Sequence, residues 1–238
     1  MRRRQREAPP PKLWPRFVLL GVLAVICALV MLWQPAPRTT ENMSGDLGGK
    51  QVYIVHGYMA SPGDHWFGWL KSQLEARGAR VTILAMPDSS DPDPAAWQRH
   101  LQQSVERQDS DSYFVAHSLG CIALLHYLQS LPADTHIGGL LLVAGFSASL
   151  PTIPQLDTFT RSPALDADRI IGLSNQRAVI ASRNDDAVPY ALTVDLSRQL
   201  QAQLSTVEEG GHFLGREGFT TLPVAYDLLA AMMSARPD

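Results

Sequence analysis

The chain has 238 residues, enough for one compact domain with something added at its N-terminus. Hydrophobic residues make up 45% of it and charged residues 18%, the composition of a globular protein with a real core rather than of a disordered chain. The net charge of −3 is unevenly spread: residues 1–42 carry +5 and the remainder −8, and so acidic a remainder argues against a nucleic-acid partner, because phosphate contacts need clustered Lys and Arg.

Residues 1–16 form a basic tail, and "FVLLGVLAVICALVMLW" (17–33) follows as an uncharged run at the short end of what spans a bilayer. The positive-inside rule places the tail in the cytoplasm and residues 50–238 across the membrane. Two other readings stand beside this anchor. One is a cleaved signal peptide, although no Ala-x-Ala site follows the run and Pro37 comes directly after Ala36. The other is a cytoplasmic protein whose translation begins at Met43. Residues 34–49 are rich in Pro, Thr, Asn, Ser and Gly without apolar period and read as a linker. The two cysteines, Cys27 and Cys121, lie in regions that do not meet, so no disulfide is expected.

From residue 51 the pattern alternates. Apolar runs at 51–57, 80–87, 112–118, 137–146 and 176–184 predict strands, with a weaker one at 204–211. Helical spacing marks 63–78, 93–108, 119–131, 189–202 and 218–235, with Gly78 as a stop and Pro94 suited to a first turn. Near-continuous apolar strands imply burial on both faces. The expected fold is therefore α/β, a three-layer sandwich around a mostly parallel, doubly wound sheet of about six strands. Residues 147–175 interrupt the alternation with a long, Pro-rich stretch that reads as a loop over a site, with Phe146, Leu150, Leu156 and Phe159 as apolar lining of a substrate pocket. Trp66 and Trp69, three residues apart on a helix, read as core, with a ligand groove as the alternative.

In an open parallel sheet, ligands bind at the carboxyl ends of the strands. The third strand ends in "AHSLG". A tight strand-to-helix turn presenting a serine needs small residues two before and two after it, and here these are Ala116 and Gly120. Ser118 could instead simply cap the helix that follows. The turn, if it is a nucleophile elbow, demands an acid and then a histidine later in the chain. "SRNDDAVPY" follows the fifth strand and offers Asp185, the favoured acid, or Asp186. Six of the seven histidines precede this acid, and only His212, in "EEGGHFLG" after the last strand, comes after it. A serine hydroxyl needs such a base to take its proton, and the base needs an acid to fix its tautomer. The oxyanion of an acyl-transfer step needs N–H donors. The amides of Leu119 and, in the loop after the first strand, Tyr58 are the candidates. His56 is read as holding that loop, and His117 as packing or hydrogen-bonding within the elbow.

Taken in order, "VHG", "AHSLG", "SRNDDAVP" and "GGHF" resemble the α/β-hydrolase fold. More narrowly, "HGYMASPGDHWFGWLKSQLEARG", the turn at Pro87 and "SRNDDAVP" resemble the small cap-less serine hydrolases similar to retinoblastoma-binding protein 9. The likeness covers about residues 51–230, and residues 1–42 depart from it. It implies Ser118, Asp185 and His212 as a catalytic triad acting on an ester, thioester or amide. A non-catalytic binding protein of the same fold and an acyltransferase are the alternatives. The substrate partner expected is a small or acyl-bearing molecule. No Cys/His cluster has metal-ligand spacing and no phosphate-binding glycine loop follows a strand, so no metal and no cofactor are expected.

Overall fold

The computed structural model describes residues 46–161 and 163–234. The tail at 1–16, the anchor at 17–33 and the linker up to residue 45 lie outside them. Among the described residues no helix is long and apolar enough to cross a membrane.

Six parallel strands form one sheet: β1 (Gln51–Val55), β2 (Arg80–Leu84), β3 (Ser112–His117), β4 (Gly139–Val143), β5 (Arg177–Ser182) and β6 (Gln203–Val207), in the spatial order β2-β1-β3-β4-β5-β6. Every residue of β1, β3 and β4 is buried, which is why these segments read as unbroken apolar runs. The helices are α1 (Phe67–Glu75), α2 (Pro94–Ser104), α3 (Leu119–Gln129), α4 (Thr158–Arg161), α5 (Ala167–Leu173), α6 (Tyr190–Gln199) and α7 (Pro223–Ser234). Strand alternation sorts them into two layers. Val52, Ile54, Val115 and Ile180 face α1 and α7, while Tyr53, Val55, Phe114 and Val179 face α2, α3, α5 and α6. Trp66 is fully buried at the start of α1, and Trp69 stacks edge-on against Tyr226 of α7, so both serve packing.

Local chemistry sets the helix starts. Asp93 caps α2 by accepting from the Ala96 amide at 2.7 Å, and Pro94 stands in the first turn, where no N–H is needed. Gly78, at φ +97°, supplies the left-handed residue that turns the chain out of α1 into β2.

The crossover from β4 to β5 departs from the expected loop. It holds a 3-10 turn (Pro154–Asp157), α4 and α5, the last capped by Asp166, which accepts from the Arg169 amide at 2.9 Å. Phe146, Leu150, Leu156 and Phe159, expected as pocket lining, are each at most 1% exposed and belong to the core. The physical reason is α3. Ten of its eleven residues are buried, so the helix needs apolar cover on its outer side as well as on the sheet side. The crossover supplies that cover, and Phe159 meets the edge of Trp97 with ring centroids 5.5 Å apart.

The chain runs from β1 out to β2, then back past β1 to β3 and onward to β6. The direction therefore reverses between β1 and β3, and the crevice beyond the carboxyl ends of these two strands is where this topology opens a site.

Candidate active site

Ser118 stands at this switch point, between the end of β3 and the first residue of α3. Its backbone has φ 54° and ψ −125°, a conformation that costs a non-glycine residue about 1–3 kcal/mol. Its side chain makes no capping bond to the helix, so the cap alternative finds no geometric support. The surroundings hold the turn in place. The Ser118 amide donates to the Val143 carbonyl of β4 at 2.9 Å. A Cβ on Gly120 would stand 2.5 Å from the His56 carbonyl oxygen and 2.7 Å from that of Val55, so only glycine lets α3 begin this close to the end of β1. Ala116, where the usual elbow has glycine, fits its methyl into the core with no exposed surface.

The turn after β5 orients Asp185. One carboxylate oxygen, Oδ1, accepts from the amides of Ala187 (2.9 Å) and Val188 (2.8 Å), and Oδ2 lies 2.8 Å from His212 Nδ1. The Asp185 side chain is 1% exposed, whereas the neighbouring Asp186 points to solvent. The carboxylate can only accept at this distance, so the proton sits on Nδ1. That leaves Nε2 as the acceptor for the Ser118 hydroxyl, 2.9 Å away. Ser118, His212 and Asp185 thus come together from three strand ends, 94 and 27 residues apart in sequence.

The loop after β1 lies beside this line. His56 braces it: Nδ1–H donates to the Gly57 carbonyl at 3.0 Å, and Nε2 accepts from the Met86 amide at 3.0 Å. Desolvation lowers the His56 pKa and keeps the ring neutral in this role. Gly57 presses against the serine, and a Cβ there would stand 3.4 Å from the Leu119 nitrogen. Tyr58 follows Gly57 and Leu119 follows Ser118, and among the described residues neither of their amides donates to a protein acceptor.

His117 departs from its expected local role. Its Nε2–H crosses to the backbone carbonyl of His212 at 2.9 Å, a bond that spans 95 residues. Burial drives its pKa well below the usual imidazole value. Three partners of the histidine loop escaped the sequence reading. Ser182 accepts from the Gly210 amide at 3.0 Å, Asn184 accepts from the Gly211 amide at 2.8 Å, and Glu217 accepts from the His212 amide at 2.8 Å. Ser182 and Asn184 reach backbone 28 and 27 residues away, which no local pattern announces, whereas Glu217 lies five residues from His212 and caps the short helix at Gly215–Glu217. A groove of about 630 Å³ runs along the outer side of His212, lined by Asn184, Asp186, Glu209 and Glu217 among others. Cys121 offers no rival nucleophile: burial raises its thiol pKa far above neutrality, and its Sγ faces the Val143 carbonyl.

A parallel sheet that switches direction beside a strained serine, backed by a histidine and an aspartate, defines the class of α/β hydrolases. Within that class the chain belongs to the serine hydrolase family, which residues 52–231 match. The Bacillus subtilis (strain 168) protein YdeN is 46% identical over 185 residues, covering 78% of this chain and 97% of that one. Its crystal structure superposes with a TM-score of 0.76, covering all of that chain. Est1E from Butyrivibrio proteoclasticus, solved with ferulic acid bound, shares the fold at 14% identity, with a TM-score of 0.62 over 79% of this chain and 91% of its own. The protein is accordingly a hydrolase.

Proposed function

We propose that the protein cleaves an ester, thioester or amide bond through an acyl-enzyme on Ser118, with His212 as general base and Asp185 as the acid behind it. The reading rests on one observation, the unbroken line from Ser118 Oγ to His212 Nε2 and from His212 Nδ1 to Asp185 Oδ2 at 2.9 and 2.8 Å. Ser118 Oγ attacks the carbonyl carbon while its proton passes to His212 Nε2, and Asp185 stabilises the imidazolium. The tetrahedral oxyanion is received by the Tyr58 and Leu119 amides. On collapse, His212 returns the proton to the leaving oxygen, sulfur or nitrogen. Water then enters by the same route in reverse and frees the acid and Ser118.

The narrower kinship with small cap-less hydrolases is part of this proposal. It is supported by the crossover between β4 and β5, which covers α3 rather than closing over Ser118. The membrane anchor at 17–33 is likewise proposed, on its uncharged length and basic flank. A reporter active only outside the cytoplasm, fused after Asp238, should give signal, and a silent one would retire the anchor.

The chemistry is tested with a fluorophosphonate probe, which phosphonylates an activated serine. Wild type should be labelled, and Ser118→Ala should not. Folded wild type that stays unlabelled, or equal labelling of both, removes the proposal.

A further inference from the structure

We propose that Glu217 and His117 are positioning residues that clamp the backbone of His212 from both sides. The proposal rests on the reading of His212 as the general base.

The need for a clamp follows from where His212 sits. It is carried by a loop after β6, the least buried strand, at the edge of the sheet. Two glycines precede it, and Gly211 adopts φ +51°. Glycines give this loop freedom that a base held 2.9 Å from its nucleophile cannot have. Asp185 fixes the rotation of the imidazole, but the position of the ring also depends on the peptide groups on either side of its Cα.

Both of those peptide groups are held by side chains, one from further along the same loop and one from the end of β3. The His212 N–H donates to Glu217 Oε2 at 2.8 Å, and the Leu214 N–H donates to the same oxygen at 3.1 Å. A Cβ on Gly211 would stand 2.6 Å from that oxygen, so the glycine is what admits the carboxylate. On the other side, the His212 carbonyl accepts from His117 Nε2 at 2.9 Å. His117 precedes Ser118 directly and is only 2% exposed. The clamp therefore ties the base to the residue beside its nucleophile, and the spacing of the two is set by the elbow itself. A third tie extends the frame, as Gly215 N–H donates to His65 Nδ1 at 3.0 Å.

Glu217 is the residue on which to test this, because it lies at the surface and its loss removes no core packing. Glu217→Gln keeps an oxygen that can accept from both amides, and Glu217→Ala keeps none. Two rates are read on the full chain: hydrolysis of p-nitrophenyl acetate and fluorophosphonate labelling of Ser118. Misplacing a catalytic group by about 1 Å costs on the order of 100-fold. Glu217→Ala should therefore lower kcat and the labelling rate by about 10- to 100-fold, with KM within about threefold and the melting temperature near that of wild type. Glu217→Gln should recover most of both rates. Wild-type rates in Glu217→Ala, or a Glu217→Gln variant as slow as Glu217→Ala, overturn the clamp and leave the hydrolase reading standing. Wild type that is neither labelled nor active overturns that reading, and the clamp with it.

Discussion

Gly57 and Ser118 approach so closely that a Cβ on the glycine would stand 2.8 Å from the Cβ of the serine. It would also stand 3.0 Å from the His117 carbonyl oxygen. Both neighbours belong to a turn that is already strained, so neither can yield without moving Ser118. Gly57→Ala should therefore displace the serine from His212 and the Tyr58 amide from the developing oxyanion. We expect a loss of about 100-fold in kcat/KM on p-nitrophenyl acetate, with an overpacking cost of about 1–3 kcal/mol in urea unfolding. A Gly57→Ala variant as active as wild type would mean that the loop after β1 is not part of the reacting site.

Asp185 and Asp186 are chemically equal and adjacent, yet they meet different surroundings. In Asp185→Asn, the amides of Ala187 and Val188 still demand an oxygen, which turns the new NH2 group toward His212 Nδ1. Two donors then face each other unless the imidazole moves its proton to Nε2, where it can no longer accept from Ser118. Turnover should fall by about 10³-fold or more, while Asp186→Asn should stay within about threefold of wild type. The opposite ranking in steady-state kinetics would reassign the acid.

How much of this was legible beforehand depended on how local each cause was. All six strands and the five longer helices could be read, because burial on both faces of a parallel sheet leaves unbroken apolar runs such as 51–55 and 112–117. Ser118, Asp185 and His212, which the structure brings together, could be singled out as candidates because strand ends and chain order constrain them tightly. The role of the crossover could not. Phe146, Leu150, Leu156 and Phe159 are apolar whether they line a pocket or pack a helix, and only the position of α3 decides between the two. Even so, α5 carries a local signal in the sequence: Asp166 as its cap, then Ile170 and Leu173 three residues apart. The long-range ties from His117, Ser182 and Asn184 to the histidine loop have none, since each joins a side chain to a peptide group brought near only by folding. Glu217, five residues from His212, is a local capping contact.

The buried histidines give the domain a pH dependence whose sign is fixed. Burial lowers the pKa of His117 well below the usual imidazole value of about 6.5, and lowers those of His56, His65 and His126 in the same direction. In the unfolded chain these rings take up protons as the pH falls through about 6.5, while in the folded protein they resist. The unfolded state then binds more protons, so stability falls as pH falls. Above the unfolded pKa the contribution is fully present, and it is lost toward the lowered folded values. His117, fully buried, contributes at most about 1.4 kcal/mol per pH unit within that window, the limit for one proton bound by the unfolded state alone. Asp46 and Asp109, two of the carboxylates in ion pairs, have lowered pKa values, so neither gains protons in the folded state between pH 7 and pH 5. Urea midpoints should drop steadily across that interval. His126→Phe, which replaces one titratable imidazole in the last turn of α3, at the other end of the helix from Ser118, should shallow the slope while leaving hydrolysis near wild type. A midpoint that stays level or rises from pH 7 to pH 5 would contradict the neutral, buried state of these rings.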